Sequence, residues 1–189
     1  MTGSGIRIAL PEWVADAVDW ERRYESDEAR MRLAVDLARQ NIERQSGGPF
    51  GAAVFEREGG GLVAVGVNAV VRDRNSMLHA EVMALMLAER RVGSYSLAAP
   101  ELPPHELVTS CEPCAMCLGA ALWSGVRRLV CGATRGDASA VGFDEGPVFP
   151  KSYRYLERRG IEVVRAVLRE DAAAVLAEYR ALGGEVYNG

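Results

Sequence analysis

The stretch ELVTSCEPCAMCLGAALWSGVRRLVC, residues 106–131, is the part of the chain that decides the expected fold. Residues 106–110 are predicted to form a strand, residues 114–124 a helix that ends at Gly125, and residues 127–131 a second strand. A strand, a helix and another strand in succession are typical of proteins in which helices cover the faces of one sheet. We therefore expect an α/β fold.

The segments on either side extend this alternation. Upstream, residues 52–56 and 62–71 are predicted as two strands joined by the turn EGGG, which makes a hairpin. A fifth strand is predicted at residues 161–168, and residues 132–150 are expected to form a loop. Further helices are predicted at residues 26–45, 80–91, 151–159 and 170–182. Together these elements indicate a three-layer α/β/α sandwich around one mixed five-stranded sheet.

The chain length is appropriate for a single domain. Of its 189 residues, 49% are hydrophobic, which is enough for one well-buried core. The chain is too short for two domains that would each have such a core. Residues 1–25 are expected to be an irregular N-terminal extension, in which Pro11 and Glu12 can open a short helix. Residues 148–189 are treated as a C-terminal segment of the same domain.

Composition argues against several classes of function. A net charge of -4 and a pI near 5.4 disfavour binding to nucleic acid, including tRNA, because phosphate binding needs clustered Lys and Arg. The longest apolar run, residues 82–88, is far shorter than the roughly 20 residues that cross a bilayer. The stretch after Arg7 is broken by Pro11, so it does not resemble a secretory leader. We expect a cytoplasmic enzyme.

The cysteines indicate metal or redox chemistry. Cys111, Cys114 and Cys117 lie within seven residues, and Cys131 follows them. This spacing is too tight for disulfides that would link distant loops.

Two short segments, His79-Ala80-Glu81 and Pro113-Cys114-Ala115-Met116-Cys117, form a candidate zinc site. Cys114 and Cys117 are three residues apart, so at the start of a helix their sulfurs face the same side. The partial positive charge at a helix N-terminus favours thiolates, which bind zinc. With His79 they make three protein ligands and leave a fourth tetrahedral position for water, as in catalytic zinc sites. Glu81 would sit beside that water and move protons.

Other interpretations of these residues remain open. A structural zinc would need a fourth ligand, and Cys111, Cys131 or His105 could supply it. A Cys-x-x-Cys redox pair would leave His79 and Glu81 without roles. Otherwise Cys111 and Cys131 are expected to be small buried hydrophobic residues, and His105 a surface loop residue.

Together, in this order, the two segments match the signature of zinc deaminases. From about Gly48 to Pro147 the chain resembles the cytidine deaminase-like superfamily and, within it, the bacterial guanine deaminases. The shared segments are GGPFGAAV (47–54), HAEVMAL (79–85), TSCEPCAMCLGAALWSGV (109–126) and VGFDEGP (141–147). The zinc motifs indicate only the reaction, whereas VGFDEGP is the segment that resembles the guanine branch.

The resemblance implies roles for residues around the metal. It implies that Glu81 is the proton shuttle, and that Glu145 is a second carboxylate near the leaving amine. The residues that it places in contact with the base are Asn68, Phe50, Ala80, Trp123 and Tyr187. Each of the more specific roles has a structural alternative: Asn68 as a strand-end residue, Phe50 as a core aromatic, Trp123 as a helix residue and Glu145 as a solvated loop acid.

The expected function is hydrolysis of guanine to xanthine and ammonia by an enzyme with one zinc ion per chain. The same chemistry would act on other aminated heterocycles that fit, including ammeline-type triazines, cytosine and nucleosides. A different class of protein, an inert zinc-stabilised interaction module, is also compatible with the zinc motifs. The resemblance further implies a homodimer whose C-terminal segment crosses to the partner subunit.

Overall fold

A computed structural model describes residues 8–188 of the chain. The first seven residues of the expected N-terminal extension and Gly189 lie outside the described residues. Within the extension, Trp13–Ala17 form a short helix, α1, with Glu12 at its N-cap. The short helix expected at Pro11 and Glu12 is therefore present.

One mixed five-stranded sheet forms the centre of the fold, as predicted. Its spatial order is β2-β1-β3-β4-β5. β1 pairs antiparallel with β2 and β3, whereas β3, β4 and β5 run parallel to one another. The strands are β1 (Gly51–Glu56), β2 (Leu62–Val67), β3 (His105–Cys111), β4 (Arg128–Ala133) and β5 (Glu162–Val164).

Helices cover both faces of this sheet and confirm the α/β/α layering. α2 and α8 pack on one face, where they bury one apolar cluster with β1 and β4. α4 and α5 pack on the other face and contact each other. The remaining helices after α1 are α2 (Asp27–Glu43), α3 (Val70–Asp73), α4 (Ala80–Val92), α5 (Ala115–Ser124), α6 (Arg135–Ala140), α7 (Pro150–Arg158) and α8 (Arg169–Ala181). Among residues 8–188, none of these helices has the length and apolar character needed to cross a membrane.

The second strand is shorter than predicted and ends before Asn68. The predicted strand continued to residue 71, but β2 ends at Val67 and α3 begins at Val70. Asn68 turns the chain because its side-chain Oδ1 accepts a hydrogen bond from the backbone N–H of Val70. The apolar pattern of residues 69–71 could not distinguish a strand from this short helix.

The loop predicted at residues 132–150 contains a helix. α6 begins after Thr134, whose side chain accepts a hydrogen bond from the backbone N–H of Asp137, while the Asp137 carboxylate accepts one from the backbone N–H of Thr134. This reciprocal pair is a capping box, so the Thr-x-x-Asp spacing was a usable helix signal that the prediction missed.

The last strand and His105 also differ from the predictions. β5 ends at Val164 because Ala166 and Leu168 have φ angles of 63° and 47°, which a strand cannot accommodate. His105 was expected on a surface loop, but it begins β3 and is buried, with its Nδ1 3.1 Å from the carbonyl oxygen of Leu97.

The C-terminal segment packs on its own subunit. β5 pairs with β4 of the same chain, and α8 lies against β4 and α2. Within this chain the segment adds the last strand to the sheet and part of the apolar layer on one of its faces. The exchange of this segment between subunits, which the resemblance implies, stays a prediction.

Candidate metal centre and active site

The three predicted metal ligands come together where two helices begin. His79 is the N-cap residue of α4, and Cys114 is the N-cap residue of α5. Cys117 lies in the first turn of α5, on the same side as Cys114. Because α4 and α5 pack against each other on one face of the sheet, their first turns are neighbours.

The side chains of these residues form a compact cluster of ligand atoms. The candidate ligand atoms of His79, Cys114 and Cys117 all lie within 4.8 Å of one another. The Nδ1 atom of His79 is 3.6 Å from the Sγ atom of Cys114. Hydrogen bonds from Cys117 and then from His79 lower the pKa of the Cys114 thiol to about 4, despite the opposing effect of burial. The thiol of Cys114 is therefore in the deprotonated form that binds a metal ion.

This donor set fits zinc. One imidazole nitrogen and two thiol sulfurs are preferred zinc ligands, and three protein ligands leave one tetrahedral position open. Among residues 8–188 the group that could hold a metal consists of these three side chains. Cys131 and His105 are not part of it, and Cys111 is buried with its Sγ 3.8 Å from the carbonyl oxygen of Thr134. The arrangement is that of a catalytic site and not of a closed structural one.

Glu81 lies beside the cluster in the first turn of α4. Glu81 is only 6% exposed to solvent, and it lines a small cavity next to His79. Burial raises the pKa of its carboxyl group, and the neighbouring Cys114 thiolate raises it further. A buried carboxyl group whose pKa is raised is better suited to pass on a proton than an exposed one.

Two cavities with shared lining residues lie at this site. The inner cavity, of about 30 Å³, is lined by residues that include Glu81, Glu145, Phe50 and Tyr187. A wider outer cavity of about 630 Å³ shares His79, Glu145 and Tyr187 with it. The inner volume is that of about one water molecule. Phe50 and Tyr187 therefore enclose the space next to the metal cluster, which opens outward past Met77 and Met116.

Glu145 is the second carboxyl group at the inner cavity. It is 9% exposed, and burial followed by the repulsion of Glu81 raises its pKa to about 8. Its backbone oxygen accepts a hydrogen bond from the N–H of Ala115, which ties the loop to the start of α5. Gly142 and Gly146 have φ angles of 107° and 67°, so both bend the loop in a conformation that favours glycine.

Asp144, the neighbouring acid, is placed differently. It is exposed, and its Oδ1 accepts a hydrogen bond from the backbone N–H of Gly146. Although Asp144 borders both cavities, its carboxylate is engaged in the turn of its own loop. The structure therefore separates the two adjacent acids into a buried one and one that shapes the loop.

Asn68 borders neither cavity, but it presents a buried amide donor close to Gly48, which lies next to Tyr187 of the cavity lining. Its Oδ1 accepts hydrogen bonds from the backbone N–H groups of Gly48 and Val70. Its Nδ2 is buried and has no hydrogen-bond partner within residues 8–188. The hydroxyl of Tyr187, which is also buried and without a partner there, lies beside Gly48. A buried donor without a partner is costly unless a ligand satisfies it.

Aromatic rings form one wall of the cavity. Phe50 packs edge-on against Phe143, with ring centroids 5.0 Å apart, and Phe143 packs edge-on against Tyr187 at 5.2 Å. The ring of Tyr187 is 6.3 Å from that of His79. The structure thus places Phe50 and Tyr187 at the site. Phe143 was missed by the sequence analysis, although it lies in the quoted segment VGFDEGP.

Two of the predicted substrate contacts lie elsewhere in this chain. Trp123 is 80% exposed on the outer side of α5 and borders neither cavity, because its position on the helix faces away from the sheet and from Cys117. Ala80 is fully buried, and its side chain packs in the apolar layer between α4 and the sheet.

Glu112 is a further lining residue that the sequence analysis did not select. This buried acid borders the inner cavity and forms an ion pair with the guanidinium of Arg165. It also accepts a hydrogen bond from the backbone N–H of Arg135. The sequence feature that could have identified Glu112 as a site residue is its position two residues before the metal ligand Cys114.

Comparison with known proteins gives consistent results. The family described as the cytidine and deoxycytidylate deaminase zinc-binding region matches residues 24–133. Guanine deaminase of Bacillus subtilis is 34% identical over 143 residues, which cover 76% of this chain and 87% of that protein. A structure of guanine deaminase from Nitrosomonas europaea is 47% identical with a TM-score of 0.91, covering 96% of this chain and 99% of that one. A solved variant protein in complex with 8-azaguanine is also 47% identical, with a TM-score of 0.91 and coverage of 96% and 99%.

Proposed function

Since this chain belongs to the zinc-binding family of cytidine and deoxycytidylate deaminases, we propose that it hydrolyses guanine to xanthine and ammonia. The observation that carries the proposal is the pair of buried carboxyl groups, Glu81 and Glu145, on one small cavity beside the metal ligands. Its similarity to guanine deaminases and to a protein that binds 8-azaguanine supports guanine as the substrate.

Zinc is the cofactor, and His79, Cys114 and Cys117 would hold it. When bound, it supplies the Lewis acidity that makes a water molecule a nucleophile near neutral pH. Glu81 would accept one proton from the attacking water and deliver it to the ring nitrogen next to C2 of guanine. The carboxyl group of Glu81 suits this task because burial raises its pKa and it borders the cavity.

Glu145 would protonate the leaving amine. With a pKa raised to about 8, its carboxyl group carries a proton at neutral pH. Transfer of that proton to the amine on C2 lets the C–N bond break with release of ammonia. The hydroxyl proton left on C2 then passes to Glu145, which restores its acid form and leaves a carbonyl oxygen at C2.

Asn68 and the aromatic residues of the cavity lining would bind and orient the base. The Nδ2 of Asn68 would donate its unused hydrogen bond to an acceptor on the purine edge. The rings of Phe50 and Tyr187 would pack on the planar base and exclude water from the two carboxyl groups.

Ammonia release over a panel of bases tests this proposal. The zinc-loaded protein should release ammonia fastest from guanine, and much more slowly from cytosine, ammeline and guanosine. Wild-type protein stripped of metal provides the blank for each base. A preference for another base would replace guanine as the substrate, and no release from any of them would favour an inert zinc-stabilised module.

We also propose that the protein is a cytoplasmic homodimer. The four free thiols are typical of a reducing compartment. An apolar groove of about 390 Å³ between α5 and α7 is lined by residues that include Leu118, Leu122 and Tyr155, and Trp123 lies exposed on the same helix as the first two. Exposed apolar surface of this kind supports subunit association.

Trp123→Glu is therefore expected to give a monomer at micromolar concentration, because a charge would be buried in the interface. Tyr95→Glu is the matched control, since Tyr95 is 93% exposed and lies outside this groove. Sedimentation velocity would show dimers for the wild type and the control. A monomeric wild type with full activity would contradict the proposal.

A further inference from the structure

The N-terminal extension makes specific contacts with the wall of the active site, and its role does not follow from the deaminase motifs. The region that matches the family begins only at residue 24. The contacts of the extension nevertheless lead to the backbone of Asn68 and to residues adjacent to Asn68 and His79, the proposed substrate and metal ligands. Two independent sets of contacts make this connection.

The first is a chain of hydrogen bonds that starts at Trp13. The indole Nε1 of Trp13 donates to the Oγ of Ser46 at 3.0 Å, and that hydroxyl donates to the Oδ1 of Asn41 at 2.7 Å. The Nδ2 of Asn41 then donates to the backbone oxygens of Gly48 and Asn68, both at 2.9 Å. The chain of bonds therefore runs from α1 to the backbone of Asn68.

The direction of each of these hydrogen bonds follows from groups that can only donate or only accept. An indole N–H can only donate, so the Ser46 oxygen accepts from it and has one proton left to donate. The Oδ1 of Asn41, at 2.7 Å, and its backbone oxygen, at 3.3 Å, are the acceptors within reach of that proton. The buried amide of Asn41 turns its NH₂ group towards the backbone oxygens of Gly48 and Asn68, which can only accept.

The consequence for Asn68 is a defined orientation. With its backbone and that of Gly48 held by Asn41, the Oδ1 of Asn68 accepts from the N–H groups of Gly48 and Val70. The remaining polar atom, Nδ2, is then left as the buried donor without a partner in the described part of the chain. Trp13 is thus linked, through Ser46 and Asn41, to the backbone of the residue that carries this donor.

The second set of contacts is apolar. Ile8 and Leu10 pack against a small buried cluster of Ala69, Leu78 and Met83. Ala69 directly follows Asn68, and Leu78 directly precedes His79. Arg72 lies in α3, between Ala69 and Leu78. Its guanidinium donates a hydrogen bond to the backbone oxygen of Ala9 at 2.9 Å.

From these contacts we propose that residues 8–13 are a positioning element for the substrate-binding side of the site, with Trp13 acting through Ser46 and Asn41 on Asn68. This inference rests on the proposed role of Asn68 in binding the base. Trp13 is a positioning residue, because it reaches Asn68 only through other side chains.

Trp13→Phe tests the inference, because it retains the ring and removes the indole N–H. We expect KM for guanine to rise roughly three- to tenfold, the effect of losing about one hydrogen bond, with kcat and zinc content within about twofold of wild type. A loss confined to KM is expected because Asn68 would bind the substrate and the transition state alike, whereas Glu81 and the ligands are untouched. Ser46→Ala should have the same effect, and Ser46→Thr, which keeps the hydroxyl, should restore wild-type KM.

The double variant Trp13→Phe/Ser46→Ala should be no worse than either single variant, because both cut the same chain of bonds. Trp20→Phe is the matched control, since Trp20 lies in the same extension with its ring over the guanidinium of Arg91 and outside this chain of bonds. Additive effects in the double variant, or an equal rise of KM in Trp20→Phe, would overturn the inference.

Amide hydrogen exchange at residues 68–79 provides a readout that needs no substrate. Trp13→Phe and Ser46→Ala should exchange faster there than wild type and Trp20→Phe, and exchange at wild-type rates in both would overturn the inference. If the wild type does not act on guanine, the proposed function fails by itself, while exchange still tests the positioning role.

Discussion

Glu81→Gln is expected to keep the fold and the zinc ion but to lose about 10²–10⁴-fold in kcat, the range typical of general acid–base catalysis. Glutamine fills the same buried space in the first turn of α4, and Glu81 is not one of the three ligands that cluster at the metal site. The amide cannot accept the proton of the attacking water. The measurement is steady-state ammonia release, with zinc counted per chain in the same preparation.

Glu89→Gln is the matched control for this variant. It makes the same change on the same helix, and the Glu89 side chain borders neither cavity. The control should have wild-type kcat and zinc content. Near-normal turnover by Glu81→Gln would show that the proton path runs through another group, whereas loss of zinc would show that Glu81 supports the metal site.

Removing the carboxyl group of Glu145 should also reduce guanine turnover severely. Glu145→Ala is expected to retain zinc and fold while guanine turnover falls by about 10²-fold, because the leaving amine loses its nearby acid. Burial and the neighbouring Glu81 raise the pKa of Glu145 to about 8, so the lost group is one that holds a proton at neutral pH. Glu145→Gln, which keeps the shape of the side chain, should show the same loss and would exclude a packing effect. Steady-state kinetics with zinc content measured alongside decide the outcome.

Asp144, the acid next to Glu145, provides the control for the Glu145 variants. Asp144→Asn retains the Oδ1 that accepts from the N–H of Gly146, so the loop keeps its turn. Its turnover should stay close to that of wild type, because the Asp144 carboxylate is exposed and engaged in this turn. Normal guanine turnover by Glu145→Gln would remove the proposed role of Glu145 and weaken the case for guanine as the substrate.

The sequence by itself determined most of the helices and strands and the metal ligands. Helix ends could be placed because their signals are local: Ser26 caps α2 by accepting from the N–H of Ala29, and Gly93 and Gly125 follow α4 and α5 in left-handed conformations. The pair Cys114 and Cys117 was equally predictable, because a three-residue spacing at a helix start places both sulfurs on one side. The alternation of strands and helices then indicated the mixed sheet.

Some errors also arose from local ambiguity. The apolar residues 69–71 fit a strand as well as a helix, and the side chain of Asn68 decided between them. Residues 165–168 continue an apolar strand pattern, but positive φ angles at Ala166 and Leu168 end β5 earlier. Neither choice is encoded in hydrophobic periodicity, which is insensitive to individual hydrogen bonds and to backbone angles.

Only the tertiary structure decided how the distant segments meet and which of the other candidate residues line the site. His79 and Cys114 are 35 residues apart and meet because α4 and α5 pack on the same face of the sheet. Tertiary packing also leaves Trp123 exposed, buries His105 in β3 and brings Tyr187 beside His79 from the far end of the chain. Trp13 reaches Asn68 through Ser46 and Asn41 in the same non-local way. Local patterns determine helices, strands and caps because those depend on near neighbours, whereas a site assembled from distant segments depends on how the layers pack.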